Sequence, residues 1–155
     1  MSEPVVIGLG SSLGDRDGLL RLAVQALSAH PAVTVAAVSR IWRSVPVGAA
    51  QQVFFNAAVR LTTTLRPLSL LALCKDIERR MGRRPGVRWS DRPLDLDILL
   101  WGARTLDTPR LTIPHARLHE RAFALVPALE VAPDAWHPRR RVRLADMVSG
   151  RAGLC

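Results

Sequence analysis

The sequence predicts an α+β fold in which helices cover an antiparallel sheet. Three observations support this prediction: two stretches have the 3.6-residue period of amphipathic helices, four short runs are rich in β-branched or alternating apolar residues, and these elements alternate along the chain. Their order, β-α-β-β-α-β, is typical of the ferredoxin-like arrangement. With 155 residues, 48% of them hydrophobic, the chain is long enough for one globular domain over residues 1–155.

The first half of the pattern rests on local composition. Residues 4–9 are short and β-branched and end in glycines, which predicts a strand. A helix follows, because apolar residues recur at helical spacing at Leu19, Leu20, Ala23, Val24 and Leu27. Residues 33–45 and 54–65 are rich in valine, threonine and aromatic residues and are separated by the breaker Pro46-Val-Gly, so each is predicted to be a strand.

The second half begins with a helix behind Pro67, a residue that suits the first helical turn. Its apolar positions are Leu70, Leu73, Cys74, Ile77 and Met81, and Gly82 is expected to end it. Residues 94–101 are predicted to form the fourth strand. The chain then adds a proline-punctuated segment at 108–114, an apolar run at 122–131 and a short helix at 144–148, and this helical extension is expected to cover the other face of the sheet.

Charge and composition restrict the class of protein. The net charge is +9, with 21 arginines and a single lysine, which favours a phosphorylated or nucleic-acid partner because arginine binds phosphate through paired hydrogen bonds. An arginine-rich genome would produce the same composition without any such partner. The apolar runs are too short to span a membrane and no secretory signal is evident, so a cytoplasmic protein is expected. Cys74 and Cys155 form no Cys-x-x-Cys pair, and a disulfide framework is not expected.

Two motifs have simple structural explanations. The run from Gly8 through Gly10 to Gly14 has one residue too many for a dinucleotide fingerprint and lacks a Walker lysine, so a tight turn with glycines at positive φ is predicted. His115 and His119 are four residues apart, as zinc ligands on a helix can be, but no third ligand is evident and zinc is not predicted.

Asp95 and Asp97 are the chemically informative pair. In a strand, residues two apart share a face, so the two carboxylates are expected about 6 to 7 Å apart on one side. Such a pair suits Mg²⁺, which accepts a few carboxylate oxygens together with water and phosphate oxygens. Two surface acids in ion pairs would produce the same spacing. Context favours phosphoryl transfer, because six arginines precede the pair, at 79, 80, 83, 84, 88 and 92. Residues 83–92 and 46–53 are predicted to be binding loops.

Seven short blocks, in order along nearly the whole chain, resemble the 6-hydroxymethyl-7,8-dihydropterin pyrophosphokinase family of folate biosynthesis. They are IGLGSSLG at 7–14, RSVPVG at 43–48, FFNAA at 54–58, RPLDLDIL at 92–99, LTIPH at 111–115, HERAF at 119–123 and EVAP at 130–133. The resemblance implies a transferase with a ferredoxin-like core that moves pyrophosphate from ATP to the hydroxymethyl group of a reduced pterin and releases AMP.

The resemblance also implies roles for individual residues. Asp95 and Asp97 would bind two Mg²⁺ ions that bridge the ATP phosphates, with Arg83 and Arg92 as further catalytic groups on a mobile loop. ATP would be bound by Leu71, Ile98, Arg110, Leu111, Thr112, His115 and Arg121.

For the pterin, the resemblance implies a ring stacked between Phe54 and Phe123 and hydrogen-bonded to Asn56. The remaining pterin contacts would come from Ser44, Val45, Val47 and Gly48. Ordinary core packing is the alternative role for the two phenylalanines, and the sequence by itself does not separate the two roles.

Two positions depart from the family pattern. Ser90-Asp91 stands before Arg92 where the family usually has Gly-Pro, and Ser12 replaces the usual asparagine of the opening loop. Asp91 places an extra carboxylate near the expected phosphates, so these departures bear on loop geometry and rate.

The expected partners are the small molecules ATP and reduced pterin, with no membrane or nucleic acid, and the expected state is a monomer. The rival hypothesis is a basic nucleic-acid-binding module without catalysis.

Overall fold

The computed structural model describes residues 3–12, 16–44, 54–81 and 94–149. Its helices are α1 (Arg16–Ala29), α2 (Pro67–Arg80), α3 (Ala122–Val131) and α4 (Leu144–Ser149), with a 3₁₀ turn at Leu118–Glu120. Its main strands are β1 (Val5–Ser11), β2 (Val33–Val38), β3 (Trp42–Ser44), β4 (Phe54–Thr63) and β5 (Asp95–Trp101). Two small hairpins follow, formed by β6 (Leu106–Asp107) with β7 (Thr112–Ile113) and by β8 (Trp136–His137) with β9 (Val142–Arg143).

The five main strands form one antiparallel sheet, which confirms the predicted α+β class. The strand order is β2-β4-β1-β5, and β3 pairs with the beginning of β4. In the described part of the chain no strand pairs with the outer side of β5, so β5 is an edge strand. The predicted helices 16–29 and 67–80 are both present, the second with Pro67 in its first turn.

The sheet separates two apolar clusters because its side chains alternate between faces. On one face, β1 contributes Val5, Ile7 and Leu9 to a core shared with α1 and α2. On the other face, α3 and α4 pack against the sheet, as expected for the C-terminal extension. The buried members of this second cluster are Val6, Ala58, Leu99, Leu100, Leu118, Leu125, Ala128, Val131 and Leu144. Over the described residues, the helices are all too short or too polar to cross a membrane.

The prediction of one strand over 33–45 was wrong. The strand breaks after Val38 because the Ser39 side chain takes part in the backbone hydrogen bonding. Its Oγ atom accepts the Ala58 N–H at 2.8 Å and donates to the Arg40 carbonyl at 2.7 Å. The Arg40 N–H turns away from the sheet and donates to the Glu130 carboxylate, which also binds Arg40 Nε at 2.9 Å. A contact with α3 therefore divides the segment into β2 and β3.

The glycine run was also predicted wrongly, since Gly8 and Gly10 lie inside β1 and not in a turn. A Cβ atom added to Gly8 would lie 3.1 Å from Leu99 Cδ1, and one added to Gly10 would lie 3.3 Å from Asn56 Oδ1. The glycines are thus suited to close approach of neighbouring side chains, and not to positive φ. Gly14 lies outside the described residues.

Candidate active site

A cavity of about 480 Å³ lies where β1, β4 and β5 meet the beginning of α3. The antiparallel register sets its floor, because Gly10 is opposite both Asn56 and Asp95, and Gly8 is opposite Asp97. The glycines have no side chains, which leaves room above the sheet. The lining residues are Gly8, Leu9, Gly10, Phe54, Asn56, Ala57, Asp95, Asp97, Leu99, Arg117, Glu120, Arg121, Phe123 and Ala124.

Asp95 and Asp97 both reach this cavity, while Leu96 between them is buried on the opposite face. The predicted alternation of β5 therefore places the two carboxylates together. The pKa of Asp97 is raised from 3.8 to about 6, first because the carboxyl is partly buried and second because Asp95 adds a like charge. Arg121 acts against this rise, with its Nη1 atom 3.7 Å from Asp97 Oδ2. Burial and the neighbouring Asp95 charge thus make ionisation of Asp97 unfavourable in the metal-free site, and Arg121 offsets part of that cost.

Arg121 and His115 lie within electrostatic reach of the aspartates. Arg121 stands at the start of α3 and lines the cavity. His115 is tied to β5 by its backbone N–H, which donates to the Leu99 carbonyl at 2.9 Å. Its Nδ1 atom accepts the Arg117 N–H at 3.2 Å, so in the neutral ring the proton is on Nε2. Burial, followed by the charge of Arg121, lowers the pKa of His115 below 6.5, which favours that neutral form at pH 7.

The three side chains predicted to contact the pterin, those of Phe54, Asn56 and Phe123, also line the cavity. Phe123 is 46% exposed and belongs to neither apolar cluster of the described residues, so ordinary core packing does not account for it. Asn56 is only 5% exposed and lies on the cavity floor. The structure therefore brings the Phe54 ring and the Asn56 amide of β4 together with the Phe123 ring of α3, which is distant in sequence.

Several predicted site residues lie outside the described residues, namely Arg83, Arg92, Val45, Val47 and Gly48, together with Ser90 and Asp91 of the departures. Ser44 is the last residue of β3, where its backbone pairs with Phe54 at the cavity. Ser12, the other departure, is buried just after β1.

The residues predicted to bind the nucleotide are divided among several surroundings. Ile98 and Leu111 are buried in the core beside α2, and Leu71 packs against the same cluster. Arg110 is exposed before β7. Thr112 and His115 line a second cavity of about 320 Å³, whose other lining residues are Asp107, Pro114, Ala116, His119, His137, Arg139 and Arg140. Of the predicted nucleotide residues, Arg121 alone lines the larger cavity with the aspartates.

The aspartate pair offers a donor set that suits a metal ion. Among the described residues, no group of three or more His, Cys, Asp and Glu side chains could hold a metal ion by itself. Asp95 and Asp97 thus offer two carboxylates, which are hard oxygen donors. Mg²⁺ is typically held by one or two carboxylates, with water and substrate phosphates as its other ligands. The pair therefore fits a Mg²⁺ ion that binds together with a nucleotide.

Sequence reasoning missed several contributors. The sequence pattern predicts a turn at Gly8 and Gly10, which instead form the cavity floor, and it predicts no role for Arg117 and Glu120, which line the cavity. Nor is a role predicted for Glu78, a buried acid of α2 whose carboxylate accepts the Leu96 N–H. A signal for Glu78 was present, because it falls four residues after Cys74, within the apolar stripe of the helix.

Comparison with known proteins agrees with this geometry. The model of the family described as 7,8-dihydro-6-hydroxymethylpterin-pyrophosphokinase (HPPK) matches residues 6–133. A 2-amino-4-hydroxy-6-hydroxymethyldihydropteridine pyrophosphokinase from Bacillus subtilis is 46% identical over 132 residues, which cover 84% of this chain and 79% of that protein. The enzyme of the same name from Pseudomonas aeruginosa is 41% identical over 142 residues, 91% of this chain and 88% of that protein.

Solved structures share the fold. Plasmodium falciparum HPPK-DHPS with pteroate superimposes with a TM-score of 0.76 at 15% identity, over 97% of this chain and 42% of that one. An HPPK-DHPS in complex with substrates gives a TM-score of 0.77 at 13% identity, over 96% and 43% of the two chains. This chain thus spans less than half the length of these solved chains, and the likeness concerns the fold alone. The resemblance inferred from the motifs is confirmed by the family match and by relatives above 40% identity, and the chain belongs to the 7,8-dihydro-6-hydroxymethylpterin-pyrophosphokinase family.

Proposed function

We propose that this protein transfers the terminal pyrophosphoryl group of ATP to the hydroxymethyl oxygen of 6-hydroxymethyl-7,8-dihydropterin, giving AMP and the pterin pyrophosphate in folate synthesis. The observation that carries the proposal is a single cavity lined both by the Asp95–Asp97 pair with Arg121 and by Phe54 with Phe123. Membership of the family supports the same reaction. The comparisons give no support to a nucleic-acid-binding module.

The aromatic part of the cavity suits a flat heterocycle. Phe54 and Phe123 would hold the pterin between their rings, and such aromatic pairs contribute about 0.5 to 1.5 kcal/mol each beyond burial. Asn56 has both an amide donor and a carbonyl acceptor, and on the buried floor it would read the polar edge of the ring. Backbone groups at Ser44, Val45 and Val47, with Gly48, would complete that recognition.

The charged part suits a polyphosphate. Asp95 and Asp97 would hold the metal ions, and a bound Mg²⁺ supplies charge neutralisation and orientation of the phosphates. Arg121, beside Asp97, would donate N–H groups to phosphate oxygens, and the Nε2–H of His115, a residue that interacts electrostatically with Asp95, would be a second donor. Leu71, Ile98, Arg110, Leu111 and Thr112 would bind the adenine and ribose.

In the transfer, the hydroxymethyl oxygen attacks the β-phosphorus of ATP. An O–P bond forms to that oxygen, the bond between the β-phosphorus and the α–β bridging oxygen breaks, and AMP leaves with the bridging oxygen. The residues of the cavity act by positioning and by charge, because this transition state requires little covalent participation from the protein. The carboxylate of Asp95 or of Asp97 is the proposed acceptor of the proton that the alcohol loses.

Further expectations belong to the same proposal. Two Mg²⁺ ions are expected, and Arg83 and Arg92 would pair with phosphates. A monomer in the cytoplasm is expected, with one catalytic domain over residues 1–155. We also infer a ferredoxin-like core, which is supported by the strand order β2-β4-β1-β5 with α1 after β1 and α2 after β4.

The product pattern tests the proposed function. The purified protein is incubated with ATP, Mg²⁺ and 6-hydroxymethyl-7,8-dihydropterin, and the nucleotides are separated by chromatography. AMP is expected in a one-to-one ratio with consumed pterin, without ADP. Stoichiometric ADP would instead identify a simple kinase, and absence of pterin-dependent turnover would remove the proposed substrate.

A further inference from the structure

Helix α2 carries two acids with opposite surroundings. Asp76 is half exposed and pairs with Arg79 and Arg80 on the helix surface. Glu78 is only 1% exposed, and its Oε1 atom lies 3.4 Å from the Nζ atom of Lys75, the single lysine of the chain. A buried carboxylate is costly unless it is hydrogen-bonded, so its contacts indicate what it does.

A short hydrogen bond joins Glu78 to β5. Its Oε2 atom accepts the backbone N–H of Leu96 at 2.7 Å. Leu96 is the residue between Asp95 and Asp97, and it lies opposite Leu9 of the neighbouring strand β1. Glu78 therefore binds the edge strand from α2 at the Asp95–Leu96 peptide, the first of the two peptides between the site carboxylates.

Fixing this peptide has a direct geometric consequence. In a strand, the direction of each side chain follows from the orientation of its own peptide groups, so rotation of the Asp95–Leu96 peptide would turn the Asp95 carboxylate relative to that of Asp97. An edge strand lacks a second neighbour to resist such rotation. The Glu78 carboxylate takes the place of that neighbour, at a charge-assisted distance.

We propose that Glu78 is a positioning residue of the pyrophosphoryl-transfer site, which sets the orientation of Asp95 and Asp97 through the Leu96 N–H. The inference rests on the proposed function of the aspartate pair. Partners that orient metal-binding side chains typically contribute 10- to 100-fold in metal affinity or activity. A comparable effect is expected here, confined to the nucleotide and metal side of the site.

Two conservative variants separate positioning from charge. Glu78→Gln keeps the length of the side chain and an acceptor oxygen for the Leu96 N–H but removes the charge. Glu78→Asp keeps the charge but is one methylene shorter, so it does not reach at 2.7 Å. Positioning predicts that the affinity for Mg²⁺ with α,β-methylene-ATP, measured by calorimetry, falls less than about threefold in E78Q and about 10- to 100-fold in E78D. Asp76→Asn is the matched control on the same helix, with unchanged affinity.

Two further readouts do not depend on turnover. The Leu96 amide, observed by NMR in the metal-free protein, should keep slow hydrogen exchange in E78Q and lose it in E78D. Pterin affinity should remain within about twofold of the parent in both variants. The reverse ranking, with E78Q impaired and E78D unaffected, would overturn positioning in favour of charge. Equal weakening of pterin and nucleotide with a lower melting temperature would show a purely structural residue. A parent protein that forms no AMP would contradict the proposed function, while the amide exchange still tests Glu78.

Discussion

Replacing Asp97 by asparagine should stabilise the metal-free protein while it slows turnover. The pKa of Asp97 in the folded protein is about 6, against an ordinary value of 3.8, so the folded state binds a proton more tightly than the unfolded state. Stability from this group is therefore present below about pH 4 and is lost as the pH rises through 6. Above that pH the charged Asp97 destabilises the fold, because burial and Asp95 outweigh the attraction of Arg121.

The size of the effect follows from the rise in pKa. Each pKa unit corresponds to about 1.4 kcal/mol, so a rise of about two units gives a ceiling of about 3 kcal/mol. The Asp97 side chain is 32% exposed and solvent screens it, which reduces the expected gain to about 1 to 2 kcal/mol. Turnover with Mg²⁺ should fall by about 100-fold or more, since under the proposed function this carboxylate helps to hold the metal charge that stabilises the transition state.

Urea denaturation with EDTA at several pH values measures the free energy of unfolding. At pH 8 the free energy of unfolding of D97N should exceed that of the parent by about 1 to 2 kcal/mol. This difference should shrink toward zero as the pH falls to about 4. Asp107→Asn is a matched control, because Asp107 is exposed and pairs with Arg139. Because the chain has a net charge of +9, removing the Asp107 carboxylate adds to the excess of positive charge. The free energy of unfolding of D107N should therefore equal that of the parent or be slightly lower. A D97N protein no more stable than the parent at pH 8, or a gain independent of pH, would refute the reasoning.

Two other predictions concern the pterin part of the cavity. Phe123→Ala should raise the dissociation constant of the pterin by about 2- to 12-fold, since one stacking partner is lost, and leave that of the Mg²⁺–nucleotide analogue unchanged in calorimetry. A large fall in melting temperature with equal weakening of both ligands would instead indicate core packing. Gly10→Ala should displace the Asn56 amide, 3.3 Å from the new Cβ, and weaken pterin binding by about 2- to 12-fold, and unchanged affinity would contradict that role for Asn56.

Local patterns predicted the elements that local forces determine. Helix α2 follows from Pro67 and from apolar residues such as Leu70, Cys74 and Ile77 at helical spacing, all three of which are buried. The alternation of β5 likewise predicted that Asp95 and Asp97 share one face of the strand. These features depend on neighbours within a few residues, so sequence periodicity was sufficient for them.

Features set by distant contacts were not predictable in the same way. The break after Val38 depends on Ser39 binding Ala58 and on Arg40 reaching Glu130, and neither partner is near in sequence. The role of the glycines in β1 depends on which side chains the register places beside them. For the site, spacing predicted the aspartate pair, whereas the proximity of Phe54 and Phe123 came from the family resemblance and not from the residues alone.

The alternation of side chains that forms the second apolar cluster also forms the cavity. On that face of the sheet, β1, β4 and β5 each change from apolar residues to glycine, polar or aromatic residues toward the same end of the sheet. Along that face, β1 passes from Val6 to glycines, β4 passes from Ala58 to Asn56 and Phe54, and β5 passes from leucines to Asp97 and Asp95. The antiparallel register aligns these changes side by side. Helix α3 covers the apolar part and begins at the boundary, so its first turn supplies Phe123 next to Arg121 while its later residues pack on the sheet. A polar or glycine residue moved by one position in any of these strands would face the core instead of the cavity, which is why the site depends on strand register as much as on residue identity.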